Sequence, residues 1–217
     1  MNAHALFVAD VHLCETRPAT SERFFAFLRD TVPHASALYI LGDLFEAWVG
    51  DDDLESPLHR TVARLLAEVN ASGVQTYFMH GNRDFMLARH YARLCGLQLL
   101  PDPTVIDLFG TATLLTHGDT LCTGDLDYQR YRRVVRHPLM LKVLRTLPLS
   151  LRRKMAARAR SGSEQAKSHK TTDIMDVNPQ AVSALFSRFG VHRIIHGHTH
   201  RPAHHQHTVA EIKYERW

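Results

Sequence analysis

Carboxylate, amide and imidazole side chains recur directly after five short apolar runs of the sequence. These groups are ligands for divalent cations, and no cysteine accompanies them. The mixed oxygen and nitrogen set favours Mn²⁺, Fe²⁺ or Zn²⁺ over a thiolate zinc site or an all-oxygen calcium site. The set is too large for one ion and suits two ions that share a carboxylate, a device for displacement at phosphorus. The candidate ligands are Asp10, His12, Asp43, Asn82, His117, His198 and His200.

The five apolar runs predict the strands that must position these ligands. They cover residues 5–9, 38–41, 76–79, 113–116 and 194–195, and each stops at a glycine or polar residue. Their near-continuous apolar character indicates burial on both faces of a sheet, as in a layered α/β or αββα sandwich. Because ligands collect beyond the carboxyl ends of strands in open α/β sheets, we expect these side chains to converge.

Helical patterns occupy the gaps between the predicted strands. Apolar residues near 3.6 spacing predict helices over 22–31, 56–71, 84–95 and 179–188. Asp84 is expected to cap the third of these, and Gly96 to end it. No repeat, low-complexity tract or linker divides the chain, so residues 1–217 are predicted to form a single domain.

The charge of the chain is strongly polarised. The formal net charge is +4, but residues 128–170 hold thirteen Lys or Arg and one acid, Glu164. That segment therefore carries +12 and the remainder −8. This distribution indicates a basic module in an acidic body, and an anionic partner such as phosphate, nucleic acid or a membrane face.

The basic segment, about residues 126–172, also holds many leucines, and Pro138 and Pro148 divide it into short helices. One interpretation is a helical insertion that covers the body with an ordinary solvated basic face. The other, which we favour slightly, is a lid whose apolar side meets lipid and whose arginines meet phosphates. The segment has few aromatic residues, Tyr128 and Tyr131, where a single-strand nucleic-acid binder would need them for stacking.

No apolar run approaches the length of a membrane span, and the N-terminus lacks the pattern of a secretory signal. We therefore expect a cytosolic chain. The three cysteines, Cys14, Cys95 and Cys122, are far apart and lack metal or redox spacing, which predicts reduced thiols.

The ligand motifs resemble, in order, the five sequence blocks of the calcineurin-like metallophosphoesterases. They are Asp10-x-His12, Gly42-Asp43, Gly81-Asn82-x-Asp84, His117-Gly118-Asp119 and Gly197-His198-x-His200. The longer strings around them, such as 41–48, 80–85 and 195–202, are similar to the UDP-2,3-diacylglucosamine hydrolases of the lipid A pathway. The resemblance implies an αββα sandwich with a helical lid inserted after the fourth block. It also implies a chain that continues beyond Trp217, so that a final edge strand would be absent.

The resemblance further implies two divalent ions, which we expect to be Mn²⁺, bridged by Asp43. One ion would be held by Asp10, His12, Asp43 and His200, and the other by Asp43, Asn82, His117 and His198. The residues with catalytic roles would be Asn82, Arg83, His117 and His198. The substrate contacts would be Asn82, Arg83, Asp125, Ser163, Lys167, Lys170 and His198; the family usually has an amide where this chain has Lys167.

The implied reaction is hydrolysis of the pyrophosphate of UDP-2,3-diacylglucosamine by metal-activated water at the UMP-side phosphorus. The products would be UMP and 2,3-diacylglucosamine 1-phosphate. The expected partners are this lipid-linked sugar nucleotide and the anionic, cytoplasmic face of the inner membrane, bound peripherally, with no nucleic acid. Two alternatives are a phosphoesterase for soluble nucleotides or phosphoproteins, and a non-catalytic nucleic-acid binder with structural metals.

Overall fold

The computed structural model describes residues 3–169, 176–209 and 212–217, without the side chains of 163–169, 207 and 209. The strands are β1 (Ala5–Val8), β2 (Ala37–Ile40), β3 (Gln75–Met79), β4 (Leu97–Leu100), β5 (Thr104–Leu108), β6 (Thr111–Thr116), β7 (Arg193–His196), β8 (His205–Val209) and β9 (Ile212–Arg216). The helices are α1 (Pro18–Ala26), α2 (Pro57–Ala71), α3 (Arg89–Cys95), α4 (Leu126–Val135), α5 (Pro138–Thr146), α6 (Leu149–His169) and α7 (Pro179–Phe189). A π-helical turn, Phe27–Thr31, continues α1.

The strands form two sheets of different construction. The first contains β1, β2, β3 and β4 in that order, all parallel. The second has the order β5-β6-β7-β9-β8, with parallel pairing at β6–β7 and β7–β9 and antiparallel hairpins at both edges. The carboxyl ends of the strands that precede the candidate ligands therefore meet at one edge of each sheet.

Three separate apolar clusters show that the molecule has four layers. Leu38 and Ile40 of β2 pack with α1, α2 and α3 on the outer face of the first sheet. Tyr39 and the adjacent Leu41 point the other way and pack with Leu115 of β6 between the two sheets. A third cluster joins β6 and β7 to α7. Because successive strand residues face opposite sides, this alternation buries both faces of each sheet, and the predicted αββα sandwich is confirmed.

The predicted helix over 84–95 was wrong in its first half. Residues 84–88 form a loop, and α3 begins only at Arg89. Asp84 does not cap a helix, because its two oxygens accept hydrogen bonds from the backbone N–H groups of Gly81 and Leu44, both at 2.8 Å. Asp51, from a distant loop, instead accepts from the N–H groups of Ala88 and Tyr91. The strands β4, β5, β8 and β9 were also not predicted.

Helices α4, α5 and α6 follow one another between β6 and β7. Leu141 and Leu144 of α5 pack against the first apolar cluster. Arg152 of α6 is buried and donates to the carbonyl oxygen of Val49 and to the carboxylate of Asp52. Among the helices in the described ranges, none combines the length and apolar character needed to cross a membrane.

Candidate metal centre

The candidate ligands lie on strained backbone at the strand ends. In the described part of the chain six residues other than glycine have positive φ, and five of them are candidate ligands. They are Asp10 (56°), His12 (52°), Asp43 (53°), His198 (75°) and His200 (54°). This left-handed conformation is uncommon outside glycine, and it concentrates at functional sites where the fold enforces it. The first three are fixed by ladder-like hydrogen bonds between the loops after β1 and β2.

Two glycines allow these loops to approach one another. Gly42 has a φ of +90°, and a Cβ there would lie 2.5 Å from the backbone nitrogen of Gly81. A Cβ on Gly81 would overlap the carboxylate of Asp43. Both positions therefore need glycine for steric reasons, and the close approach brings Asp43 against the loop that carries Asn82.

Two imidazoles and two carboxylates form one half of the centre. The Nε2 atoms of His12 and His200 are 3.2 Å apart, and their rings stack with centroids separated by 5.0 Å. Asp43 Oδ2 lies 3.7 Å from His12 Nε2, and Asp10 Oδ1 lies 3.9 Å from His200 Nε2. Ligand atoms of Asp10, His12 and His200 all lie within 4.8 Å of one another, which is the spacing of a shared cation.

Asn82, His117 and His198 converge on the other half. Asn82 Oδ1 lies 3.1 Å from His117 Nε2 and 3.2 Å from His198 Nδ1. His117 Nε2 is also 3.9 Å from Asp43 Oδ2, and the ligand atoms of Asp10, Asp43 and His117 form a second compact group. Oδ2 of Asp43 thus lies between the two halves, next to an imidazole of each.

Backbone contacts fix the orientation of these ligands. His117 Nδ1 lies 2.8 Å from the carbonyl oxygen of Leu41. Because a carbonyl only accepts, Nδ1 carries a proton, and Nε2 is directed toward Asp43. The Arg83 N–H donates to Oδ1 of Asp43 at 2.8 Å, which leaves Oδ2 for the centre. Hydrogen-bond partners of this kind fix the orientation of metal ligands.

The electrostatics of the site favour bound cations. Burial is the main cause that raises the pKa of Asp43 to about 7, and the neighbouring carboxylates Asp84 and Asp10 add to it. Burial opposes protonation of His117, yet the charges of Asp43, Asp119 and Asp10 outweigh it and raise the pKa of that imidazole. Clustered buried carboxylates without a fixed positive partner are stabilised by metal ions.

The donor set fits two divalent cations. Oδ1 of Asp10 is buried and accepts no hydrogen bond from the described residues, which is the expected state of an atom reserved for a metal. The remaining donors are imidazole nitrogens, one amide oxygen and the shared carboxylate, and the compact ligand groups found among the described residues include no cysteine. This mixture suits borderline divalent ions.

The sequence profile of the calcineurin-like phosphoesterases matches residues 3–202. The chain belongs to the calcineurin-like phosphoesterase family. The matched range includes all seven candidate ligands, so the resemblance stated above is confirmed and divalent metals are implied. The phosphoesterase is 51% identical to the UDP-2,3-diacylglucosamine hydrolase of Serratia proteamaculans over 213 residues, 98% of this chain and 88% of the relative.

Two further relatives have the same name. The UDP-2,3-diacylglucosamine hydrolase of Edwardsiella ictaluri is 53% identical over 200 residues, 92% of this chain and 77% of the relative. That of Aromatoleum aromaticum is 49% identical over 213 residues, 98% of this chain and 86% of the relative. The similarity therefore extends well beyond the metal-ligand blocks of the phosphoesterase.

A cavity of about 870 Å³ opens from the candidate centre of the phosphoesterase toward α4, α5 and α6. Its lining includes the candidate ligands and Arg83: His12, Asp43, Asn82, Arg83, His198 and His200. It also includes apolar side chains, among them Trp48, Phe85, Val134, Val135, Met140, Leu144 and Met155, and two arginines of α6, Arg152 and Arg160. One continuous space thus contacts both the candidate metal ligands and an apolar wall.

Some of the substrate contacts predicted from the sequence line the cavity, and others lie outside the described residues. Asn82, Arg83, His198 and Asp125 all line the cavity, and the Asp125 side chain also accepts from the backbone N–H of Tyr128. The side chains of Ser163 and Lys167, and the whole of Lys170, lie outside the described residues.

Two acidic residues near the centre were missed in the sequence analysis. Glu46 accepts a 2.5 Å hydrogen bond from Arg17, and its carboxylate lies 3.6 Å from His12 Nδ1 and 3.8 Å from Arg83 Nη1. Asp119, inside the fourth motif, is buried against α4. Burial works to raise the pKa of Asp119, but nearby positive groups outweigh it and hold that pKa well below its usual range. Both residues lie inside sequence strings that resemble the family, Glu46 in 41–48 and Asp119 in the fourth block, and this position could have indicated a role for them.

Proposed function

We propose that this phosphoesterase hydrolyses the pyrophosphate bond of UDP-2,3-diacylglucosamine, giving UMP and 2,3-diacylglucosamine 1-phosphate for lipid A synthesis. The observation that carries the proposal is the cavity, which is continuous from the candidate metal centre to an apolar wall on α4, α5 and α6. A sugar nucleotide with two acyl chains has the same division into an anionic and an apolar part. The shared name of the relatives supports this substrate.

The proposed ligands form two sets that share one carboxylate. Asp10, His12 and His200 would hold one ion and Asn82, His117 and His198 the other, with Asp43 common to both. Manganese is the ion that we propose. When bound, such a pair of ions supplies an acidified water and neutralises phosphoryl oxygens.

Asn82, Arg83, His117 and His198 are the residues that we assign to catalysis. Water attacks the UMP-side phosphorus, the bond from that phosphorus to the bridging oxygen breaks, and 2,3-diacylglucosamine 1-phosphate leaves. Arg83 is suited to hold the phosphoryl oxygens, because its side chain lines the cavity beside Asp43 and its guanidinium is within reach of Glu46. A planar guanidinium stabilises the negative charge that develops there.

Helices α4, α5 and α6, in the insertion at about 126–172, would act as a lid in a single-domain protein. Their inner apolar side chains would bury the acyl chains, at about 0.8 kcal/mol for each methylene removed from water. Asp125, Ser163, Lys167 and Lys170 are proposed polar contacts of the substrate, together with Asn82, Arg83 and His198.

The outer surface of the same helices suits a peripheral location on the cytoplasmic face of the inner membrane. Large apolar side chains are exposed there, such as Leu126 (63%), Leu139 (68%) and Val143 (55%). The segment from 128 to 170 also carries a formal charge of +12. Exposed apolar groups beside basic residues bind anionic lipid surfaces.

The test is hydrolysis by manganese-loaded protein in water enriched in ¹⁸O, with UDP-2,3-diacylglucosamine beside simple phosphodiesters. The expected result is preference for the lipid substrate, with one ¹⁸O atom in UMP and none in the sugar phosphate. Faster turnover of soluble diesters than of the lipid would favour a phosphoesterase for soluble substrates. Label in the sugar phosphate would contradict attack at the UMP-side phosphorus.

A further inference from the structure

Asp119 is a buried carboxylate to which the proposed reaction assigns no role. It begins the short 3-10 turn Asp119–Leu121 that follows β6, and it is fully buried. A buried carboxylate is unfavourable unless its charge is balanced by hydrogen-bonded partners. The groups that balance Asp119 come from α4, the first helix after the fourth motif.

Three side chains, two from α4 and one from the residue that follows it, converge on Oδ2 of Asp119. The Tyr128 hydroxyl donates at 2.5 Å, Nε of Arg132 at 2.7 Å and Nη2 of Arg136, just beyond the end of the helix, at 3.3 Å. Nε2 of Gln129 donates to the backbone oxygen of Asp119 at 2.8 Å. Residues four positions apart lie on the same helix face, so one face of α4 is directed at this carboxylate.

Another face of α4 belongs to the cavity. Tyr131, Val134 and Val135 line it, and so does Tyr128. The ring of Tyr128 stacks over the imidazole of His198 with centroids 6.0 Å apart and an interplanar angle of 28°. The position of α4 therefore determines both the apolar wall and the aromatic ring that covers a candidate metal ligand.

Apolar packing does not hold α4 in this position. None of its ten residues, Leu126–Val135, is buried, whereas α2 buries six of its fifteen. Leu126 and Val134 are 63% and 55% exposed. A helix without a buried apolar face depends on its polar contacts for a fixed position, and most of those contacts meet at Asp119. Arg132 also reaches Asp102, and Gln129 also donates to the carbonyl oxygen of Cys122.

We propose that Asp119 is a positioning residue, which anchors α4 so that Tyr128 covers His198 and the apolar wall faces the reacting end of the cavity. The consequence for substrate binding rests on the proposed function. The anchoring of α4 does not, because it concerns contacts within this chain alone.

The experiment compares the full-length protein with Asp119→Asn, which preserves shape and removes the charge. The control is Asp30→Asn, an exposed aspartate on the π-helical turn and outside the cavity lining. Hydrogen exchange is measured for the amides of α4 and β6 without added metal. The expected result for Asp119→Asn is exchange about tenfold faster in α4, which corresponds to partial release of the helix, with β6 unchanged.

Kinetics provide the second readout, with UDP-2,3-diacylglucosamine and with bis(p-nitrophenyl) phosphate, which has no acyl chain. Asp119→Asn is expected to raise KM for the lipid about tenfold while kcat/KM for the small diester changes less than about threefold. A purely structural role would lower the active fraction equally for both substrates and leave KM unchanged. That result, or unchanged exchange in α4, would overturn the proposal.

Arg136→Gln keeps the proposal testable if Asp119→Asn does not fold. The Arg136 side chain is partly exposed and makes one contact with Asp119, so its loss is tolerated more easily. Its expected effect is in the same direction and about threefold. If the unaltered protein does not hydrolyse the lipid, the proposed function fails. The anchoring role is then decided by hydrogen exchange alone: faster exchange in α4 of the variant supports it, and unchanged exchange overturns it.

Discussion

The backbone N–H of His198 donates a 2.6 Å hydrogen bond to Oδ2 of Asp10, across a sequence separation of 188 residues. The bond joins the loop after β1 to the loop after β7, which belong to different sheets. Asp10 thereby uses one oxygen to hold the two sheets together at the candidate centre. Its other oxygen, Oδ1, is buried beside Nε2 of His200 and is left for a cation.

Asp10→Asn should separate these two roles. The amide oxygen of Asn can still accept from His198, so we expect the fold to persist, but its NH₂ group would replace a charged ligand atom. We expect Mn²⁺ affinity to fall at least about 100-fold, measured by isothermal titration calorimetry. The control, Asp30→Asn, should bind Mn²⁺ normally. Unchanged Mn²⁺ affinity in Asp10→Asn would show that Asp10 is not a ligand.

The apolar end of the cavity leads to a prediction for Leu144. This residue of α5 lines the cavity, and Leu144→Ala would remove contacts with an acyl chain. We expect KM for UDP-2,3-diacylglucosamine to rise about tenfold, equivalent to about 1.4 kcal/mol of binding energy. Leu94→Ala, on the exposed side of α3, is the control and should leave KM unchanged. An equal rise in both variants would exclude a specific contact at Leu144.

The strand ends of the candidate centre could be predicted because their signals are local. Each apolar run stops at its ligand, and parallel strands bring their carboxyl ends to one edge. Asp43 and Asn82, which follow the neighbouring parallel strands β2 and β3, therefore meet without any long-range information in the prediction. His117 follows a strand of the second sheet, and its approach depends on the packing of the two sheets. The positive φ of His12 could not be predicted, because its backbone N–H donates to the carbonyl oxygen of Asp43, in the loop after another strand.

The errors of the sequence analysis arose where distant residues determine local structure. The start of α3 depends on Asp51, which accepts from Ala88 and Tyr91 about 40 residues away, so the apolar periodicity of 84–95 could not locate it. The role of Asp119 was missed for a similar reason. Its partners Tyr128 and Arg132 are four positions apart on a helix without a buried face. The spacing of apolar residues carries no information about such polar contacts.

The neighbouring residues Arg152 and Arg153 should contribute very differently to stability. Arg152 is 5% exposed and donates to two backbone carbonyl oxygens, those of Val49 and Leu147. Arg152→Met would leave these oxygens unsatisfied, with an expected loss of about 2 to 3 kcal/mol in the free energy of unfolding. Arg153 pairs with Asp53 but is half-exposed, so Arg153→Met should cost much less, because solvent screens the pair.

Urea unfolding of the two arginine variants under identical conditions would measure this difference. Both substitutions remove one positive charge from α6, so each serves as a control for the other with respect to net charge. Equal losses in the two variants would mean that burial of Arg152 has no energetic consequence.

His59 should make the fold sensitive to mild acid. It is buried against Phe45 and Trp48, and its Nδ1 lies 2.8 Å from the carbonyl oxygen of Asp53. Burial is the largest effect on the pKa of His59 and lowers it, although the contacts with Asp53 oppose the change. A histidine whose pKa is lowered by folding binds its proton preferentially in the unfolded chain. The stability that the neutral His59 contributes to the fold is therefore lost as the pH falls below about 6.5, the pKa of histidine in an unfolded chain.

The free energy of unfolding should accordingly fall between pH 7.5 and pH 5.5, with part of the loss due to His59. His59→Gln cannot take up this proton, so its own loss over the same interval should be smaller. His90→Gln, at an exposed position of α3, should follow the unaltered protein at both pH values. Urea titrations of the three proteins measure these differences, and an equal loss in all three would remove His59 as a source of the pH dependence.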